Sequence, residues 1–423
     1  MNHETPKLSL FATIFLNINI MLGTGVFINT VVLTQKVGVL APLLYALSGL
    51  LMLPLILSFA RLMQLYKEGS FYNFGASITP YLGFISTWSY FIGKLATPTL
   101  GIHVFNLFLQ KTVPYFAQFS VFMLDVCIIT LFVGLNLFSG TVGKKIQYFF
   151  LITKSMPLLF ALGAGLWCFD IINIAAPSVI WQGIPLSLPL VIFCFLGFEA
   201  TCSLSKIIQD PQKNASKAII YSFFIVMALL TLYQFLFYGS LGESLAEQQN
   251  YVTAFPLLIQ KACPQLVSLL APLLSLAIAT SALGGAYGLL YSNAWNLHIL
   301  AQKKYIPFYE TFARCNIFHI PYACILFEGI MCFCYLALTQ GSQIPLQYTS
   351  VLSCMATHAI SAISLVILEP SLLSFLGLTS SIIAIIFCVR GFIFTNLIPL
   401  YFFLGILALG TLIYLFKRNK EIT

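Results

Sequence analysis

Twelve apolar runs, each long enough to cross a lipid bilayer, constrain this chain more than any other feature. They lie near residues 9–34, 39–65, 82–109, 117–139, 146–168, 186–208, 217–240, 264–300, 321–339, 345–368, 371–390 and 396–416. About twenty apolar residues in a helix span a hydrocarbon core about 30 Å thick. Within lipid, only helices and closed barrels satisfy all of their own backbone groups. The chain is 60% hydrophobic and 8% charged, against about 25% charged in soluble domains. A water-soluble fold is therefore excluded, and an all-α integral membrane protein with twelve transmembrane helices is expected. No cleavable leader is expected, because Met1 to Lys7 is polar and the run from Leu8 exceeds the apolar core of a signal peptide.

The net charge of +8 would suggest a nucleic-acid surface in a soluble protein, but here it sorts by side. Segments on the side of the termini hold fifteen of the 20 lysines and arginines. The opposite side holds Lys36, Lys111, Lys261 and Arg390, and Lys94 is left inside a span. This positive-inside bias places both termini in the cytoplasm of a multi-pass protein of the cell inner membrane, with no nucleic-acid partner. The 11 cysteines show no CxxC pair and no Cys/His spacing of a zinc site, so neither a metal nor a cofactor is expected.

Two spans carry interruptions. Met21-Leu22-Gly23-Thr24-Gly25-Val26-Phe27 puts two glycines in the middle of the first, and Leu196-Gly197-Phe198-Glu199 puts a glycine beside a carboxylate in the sixth. A glycine at a helix centre costs about 1 kcal/mol relative to alanine. Non-helical backbone at that depth persists only where protein or a water-filled cavity satisfies it. Small residues also serve helix packing, yet two such breaks, one opening each five-helix half, form the pattern of an inverted-repeat transporter with its site at the midplane.

At these residues the chain resembles the amino acid-polyamine-organocation superfamily over nearly its whole length. Gly23-Thr24-Gly25-Val26-Phe27 is similar to the first-helix GSGIF motif, and Lys67-Glu68-Gly69-Ser70-Phe71-Tyr72 to the loop motif P-x-A-G-G-x-Y. Asn136, Gly140, Lys144-Lys145-Ile146-Gln147 and Lys154 resemble the fourth-to-fifth helix passage. Gly197-Phe198-Glu199-Ala200 with Asp210-Pro211-Gln212-Lys213-Asn214 resembles the sixth-helix signature, and Tyr305-Ile306-Pro307 with Ile320-Pro321 fits the eighth-to-ninth passage. The pattern is most similar to the basic amino acid/polyamine antiporter branch of arginine/agmatine exchangers. The resemblance implies a LeuT-type 5+5 inverted repeat with helices 1 and 6 broken: one transporter domain over 1–423, with repeats at 9–168 and 186–368 and helices 11 and 12 at 371–416. Departures occur at Lys206 and Ile207, at Asn293 and at Gln302-Lys303-Lys304, where the family's gating charges are altered.

The chemistry of the breaks points the same way. Freed N–H groups around Gly23 and Gly25, with the positive end of the following half-helix, suit a carboxylate, and the Thr24 hydroxyl can add a donor. Carbonyls around Cys194, Phe195 and Gly197 suit an ammonium group. Together they would hold the zwitterionic end of an amino acid. Through the resemblance Phe193 is an aromatic gate over the substrate, or else an ordinary packing residue. Tyr287, after Gly284-Gly285, offers a π face or hydroxyl to the substrate side chain.

Glu199 is a mid-membrane carboxylate, read either as a proton carrier or pH sensor or as a structural hydrogen-bonding group. Lys154 matches a family lysine near the position taken by sodium in LeuT-type relatives, so sodium coupling is not expected. Its other reading is a snorkelling anchor. Lys94 and His103, nine residues apart, fall on opposite helix faces and cannot form one relay, although Lys94 can approach the central cavity. Asp125, Glu328 and His358 are read as locally paired.

No G-x-x-x-x-G-K-[ST], G-x-S-x-G or H-E-x-x-H motif occurs, and no clustered nucleophile supports an enzyme. The expected function is secondary active transport of an amino acid by alternating access, as proton-linked symport or exchange, by a monomer or homodimer in the bilayer. The alternatives are an amino acid/polyamine antiporter and, more remotely, a non-transporting receptor or assembly subunit.

Overall fold

The computed structural model describes residues 7–66, 68–138, 140–175 and 180–422, without the side chains of Thr24, residues 140–142, Lys144 and residues 418–422. Lys67 of the loop motif, the Thr24 hydroxyl and the side chains of Lys144, Arg418 and Lys420 thus lie outside the described residues.

Among the described residues the chain is helical, and no strand forms. In order the helices are α1 (Leu10–Met21), α2 (Thr24–Val37), α3 (Ala41–Leu65), α4 (Phe71–Ala76), α5 (Pro80–Lys94), α6 (Ala96–Thr112) and α7 (Val121–Asn136). There follow α8 (Gly140–Trp167), α9 (Ile172–Ala175), α10 (Ile184–Phe195), α11 (Ala200–Ser203), α12 (Pro211–Leu241) and α13 (Tyr251–Ala262). The last are α14 (Val267–Gln302), α15 (Tyr309–Phe312), α16 (Tyr322–Thr339), α17 (Gln343–Leu368), α18 (Leu372–Phe394) and α19 (Ile398–Ile422).

Each apolar run overlaps at least one helix. Among the described residues eight helices (α3, α8, α12, α14, α16, α17, α18 and α19) are long and apolar enough to cross a membrane alone, and the pair α1 and α2, bent by 41°, brings the number to nine if it is one span. The helices of the remaining runs are shorter. α7 has 16 residues, α10 has 12, and the third run divides at Leu95 into α5 and α6. Pro98 explains that division, because it has no N–H to give the Lys94 carbonyl.

The surface is apolar and much of the interior polar. Leu43, Leu47 and Leu50 form an exposed stripe on α3, and Phe149, Ile152 and Leu159 another on α8. Their spacing of three, four and seven residues puts each set on one helix face, the arrangement lipid requires. Ser350, Ser353, Thr357, His358 and Ser361 of α17 are buried instead. α3 packs on α12 and α18, α17 on α5 and α18, and α14 on α6 and α8, with α1 against α12 and α14. Near one end of α1, an isolated parallel bridge joins Leu8 to Ile208. There the Leu8 N–H donates to the Ile207 carbonyl at 2.7 Å and the Gln209 N–H to the Leu8 carbonyl at 2.9 Å.

Candidate functional site

α1 stops at Met21 and α2 restarts at Thr24, with Gly23 extended at φ −84° and ψ −149° between them. The N-cap residue, Gly23, has no side chain with which to cap the first N–H groups of this 14-residue helix, groups that have no partner within the helix. At the other end of the break, the carbonyls of Asn19 and Leu22 accept hydrogen bonds from the Lys154 ammonium at 2.6 and 2.9 Å. Lys154 is 2% exposed, so it is an interior group of α8 and not an interfacial one.

The second break runs from Leu196 to Glu199, between α10 and α11. Gly197 has φ +138°, and a Cβ there would lie 2.8 Å from Ile20 Cγ2 and 2.9 Å from the Met21 nitrogen. Only glycine combines that dihedral with so close an approach. The two breaks therefore touch, one glycine of the second pressed on the last turn of α1. α14 closes a third side, where a Cβ on Gly285 would lie 3.4 Å from Gly23 Cα.

Between these segments lies a narrow cavity of about 10 Å³, room for about one water. Ile20, Met21, Gly23, Gly25, Lys94, Thr97, Phe193, Leu196, Gly285 and Ala286 line it. Of the sequence candidates, Gly23, Gly25 and Phe193 are thus brought together. Phe193 leans on the start of α2, since a Cβ on Gly25 would lie 2.9 Å from its Cδ1 and equally close to Cys194 Sγ.

The side chains of three other candidates turn elsewhere, which does not bear on the carbonyl role expected of Cys194 and Phe195. Cys194 Sγ receives a bond from Asn29 at 3.4 Å and faces the Tyr45 hydroxyl. Phe195 packs edge-on against Tyr45 with centroids 6.3 Å apart. Tyr287 stacks edge-on with Phe132 of α7 at 5.5 Å, and Gly285 and Ala286 line the cavity in its place.

Glu199 is fully buried behind the cavity. One carboxylate oxygen accepts from Lys94 Nζ at 2.7 Å and from the Tyr90 hydroxyl at 3.3 Å, and the other from the Gly197 N–H at 2.6 Å. Lys94 is thereby a member of the site. The sequence marked it as the one lysine stranded in a span and able to approach the cavity, and its partner lies 105 residues away. His103 pairs instead with Asp125 at 2.7 Å, joined by Asn106 at 2.8 Å. His358 sits among the rings of Phe59, Phe198 and Phe71. Glu328 is buried on α16 beside Asn293. Asn19 bonds Gln147 of α8, binding the end of α1 to the helix that carries Lys154. Among the described residues no group of histidines, cysteines and carboxylates could hold a metal ion.

The chain is similar to an uncharacterised amino acid permease, YtnA, of Bacillus subtilis (strain 168), with 22% identity over 68% of this chain and 64% of that protein. It is also similar to an uncharacterised protein of Methanocaldococcus jannaschii, with 25% identity over 54% of each chain. It spans about half to two thirds of the length of these relatives. Residues 8–419 match the profile of a single family. With that match covering almost the entire chain, and with a helical, lipid-facing fold around it, the protein belongs to the amino acid permease family.

Proposed function

We propose that this permease is a secondary transporter, carrying an α-amino acid across the cytoplasmic membrane by alternating access and without sodium. The observation that carries the reading is the contact of two helix breaks beside a cavity, with the uncapped amides of α2 at its edge. Helix-start amides favour a carboxylate, and the carbonyls at the end of α10 and in the break that follows favour an ammonium. A decarboxylated amine lacks the first of these groups, so an amino acid is the better cargo. The narrowness of the cavity supports an occluded arrangement, which must widen toward one side and then the other.

In this reading the twelve runs form spans of a five-plus-five inverted repeat, at 9–168 and 186–368, with 371–416 outside it. The excess of lysine and arginine on one side supports cytoplasmic termini. Lys154 supplies a fixed positive charge to the carbonyls of the first break, the role a sodium ion would otherwise fill. Glu199 and Lys94 are the groups through which pH or a proton acts, in symport or in exchange.

The test is uptake into proteoliposomes of each of the twenty amino acids, in sodium and in choline buffer, with and without a pH gradient and preloaded counter-substrate. Uptake of at least one amino acid at equal rates in sodium and choline is expected. No uptake under any condition would refute transport, and a sodium requirement would refute the role given to Lys154.

A further inference from the structure

Resting on that reading, the charges around the cavity narrow the cargo. Among the described residues that line it, Lys94 carries the sole ionisable side chain. Its ammonium is 2.7 Å from Glu199 Oε1, with both side chains at most 1% exposed. Glu199 does not itself line the cavity. Both of its oxygens are already engaged, by Lys94 and Tyr90 on one and by the Gly197 N–H on the other. A second resident ammonium, Lys154, is bonded to carbonyls at the end of α1, which also borders the cavity.

A guest with a positive side chain would meet these ammonium groups with no free carboxylate among the described lining residues. A guest with a negative side chain would meet an ammonium already neutralised, and would bring an uncompensated charge into a desolvated space. The remaining lining groups, Ile20, Met21, Phe193, Leu196 and Ala286, are apolar. The Thr97 hydroxyl is already shared with Ser350 at 2.7 Å.

We infer that the Lys94–Glu199 pair sets this permease to carry α-amino acids with neutral, apolar side chains, and to exclude basic amino acids and polyamines. The cargo then brings only its two mutually cancelling main-chain charges. This runs against the arginine/agmatine-type cargo that the sequence resemblance implies.

The experiment is uptake of radiolabelled leucine, alanine, glutamate, arginine, agmatine and putrescine by the wild-type protein in proteoliposomes. Leucine or alanine should be taken up at least tenfold faster than arginine, agmatine, putrescine and glutamate. A charged compound carried as fast as the best neutral amino acid would overturn the inference and leave transport itself standing. Failure to carry any amino acid or amine would refute the transport reading beneath it.

Two variants reverse the charge rule in opposite directions. Lys94→Gln leaves Glu199 unpaired and should raise uptake of arginine or agmatine relative to leucine by tenfold or more. Glu199→Gln leaves the ammonium unpaired and should raise that of glutamate. Unchanged ratios in variants that still carry leucine would overturn the assignment to this pair. Should either variant fail to fold, the wild-type panel decides alone.

Discussion

The ammonium of Lys154 lies 2.6 Å from the main-chain oxygen of Asn19, on a helix 135 residues away in sequence. One lysine thus satisfies two carbonyls that the end of α1 exposes at the break. Each buried polar group left without a partner costs about 1–3 kcal/mol. Lys154→Met should therefore lower the melting temperature of the detergent-solubilised protein and abolish uptake, while membrane insertion, read by protease protection of tagged termini, persists. A Lys154→Met variant with wild-type melting and transport would show that the carbonyls are satisfied otherwise.

Glycine substitutions should rank by what they meet. At Gly197 the dihedral is in the positive region and the neighbour is backbone, the Met21 nitrogen, which cannot move aside. At Gly25 the neighbours are the Phe193 ring edge and Cys194 Sγ, and a ring can shift by a few tenths of an ångström. Gly197→Ala should cost about 1–3 kcal/mol and remove transport, whereas Gly25→Ala should retain part of it and Gly25→Leu none. Thermal melting and uptake of the three variants check the order. Equal behaviour of Gly197→Ala and Gly25→Ala would contradict it.

The Lys94–Glu199 pair should be strongly non-additive. Removing one member of a buried ion pair costs about 3–5 kcal/mol, because the other charge remains, while replacing both with neutral groups of similar size costs far less. Glu199→Gln and Lys94→Met should each lower the melting temperature sharply, and the double variant should recover most of the loss. Additive losses in the cycle would mean that the two groups act separately.

At the rim, the exposed carboxyl of Glu369, just beyond α17, accepts two hydrogen bonds from Arg61 at 2.6 and 2.7 Å. Those bonds outweigh the loss of hydration and hold its pKa below the usual carboxylate range. A lowered folded-state pKa gives stability that is present above the unfolded value of about 4.3 and disappears as pH falls through the folded one. Wild-type protein should lose melting temperature below about pH 4.3 more steeply than Glu369→Gln, and melting curves between pH 7 and pH 3 measure this. Parallel curves would remove Glu369 from the acid response.

The helical, membrane-spanning character was legible because lipid demands long apolar helices, and the breaks at Gly23 and Gly197 because two such interruptions are harder to assign to helix packing than one. Side-chain direction was harder to read. Phe193, Cys194 and Phe195 are consecutive at the end of a helix, so at about 100° per residue they point three ways, and only Phe193 lines the cavity. The same rotation turns Tyr287 toward Phe132 and leaves its two smaller predecessors beside Gly23. The partnership of Lys94 with Glu199 depends on how α5 packs against the second break, which neither periodicity nor spacing encodes. Glu199 was legible as a mid-span carboxylate and Lys94 as a lysine able to approach the same cavity, but their ion pair was not.

The bridge between Leu8 and Ile208 can be viewed as a clasp on an equilibrium. Its two main-chain bonds tie the approach to the first helix to the exit of the second break. At about 0.5–1.5 kcal/mol net for each bond, the clasp favours the arrangement that keeps it by roughly 5- to 150-fold over any that parts those segments. Since it is made by backbone, side-chain substitutions at Leu8 or Ile208 leave that bias largely in place. Changing the populations of the two arrangements would require a proline at Leu8 or Gln209, which removes one donor, or a shift of the chain as a whole.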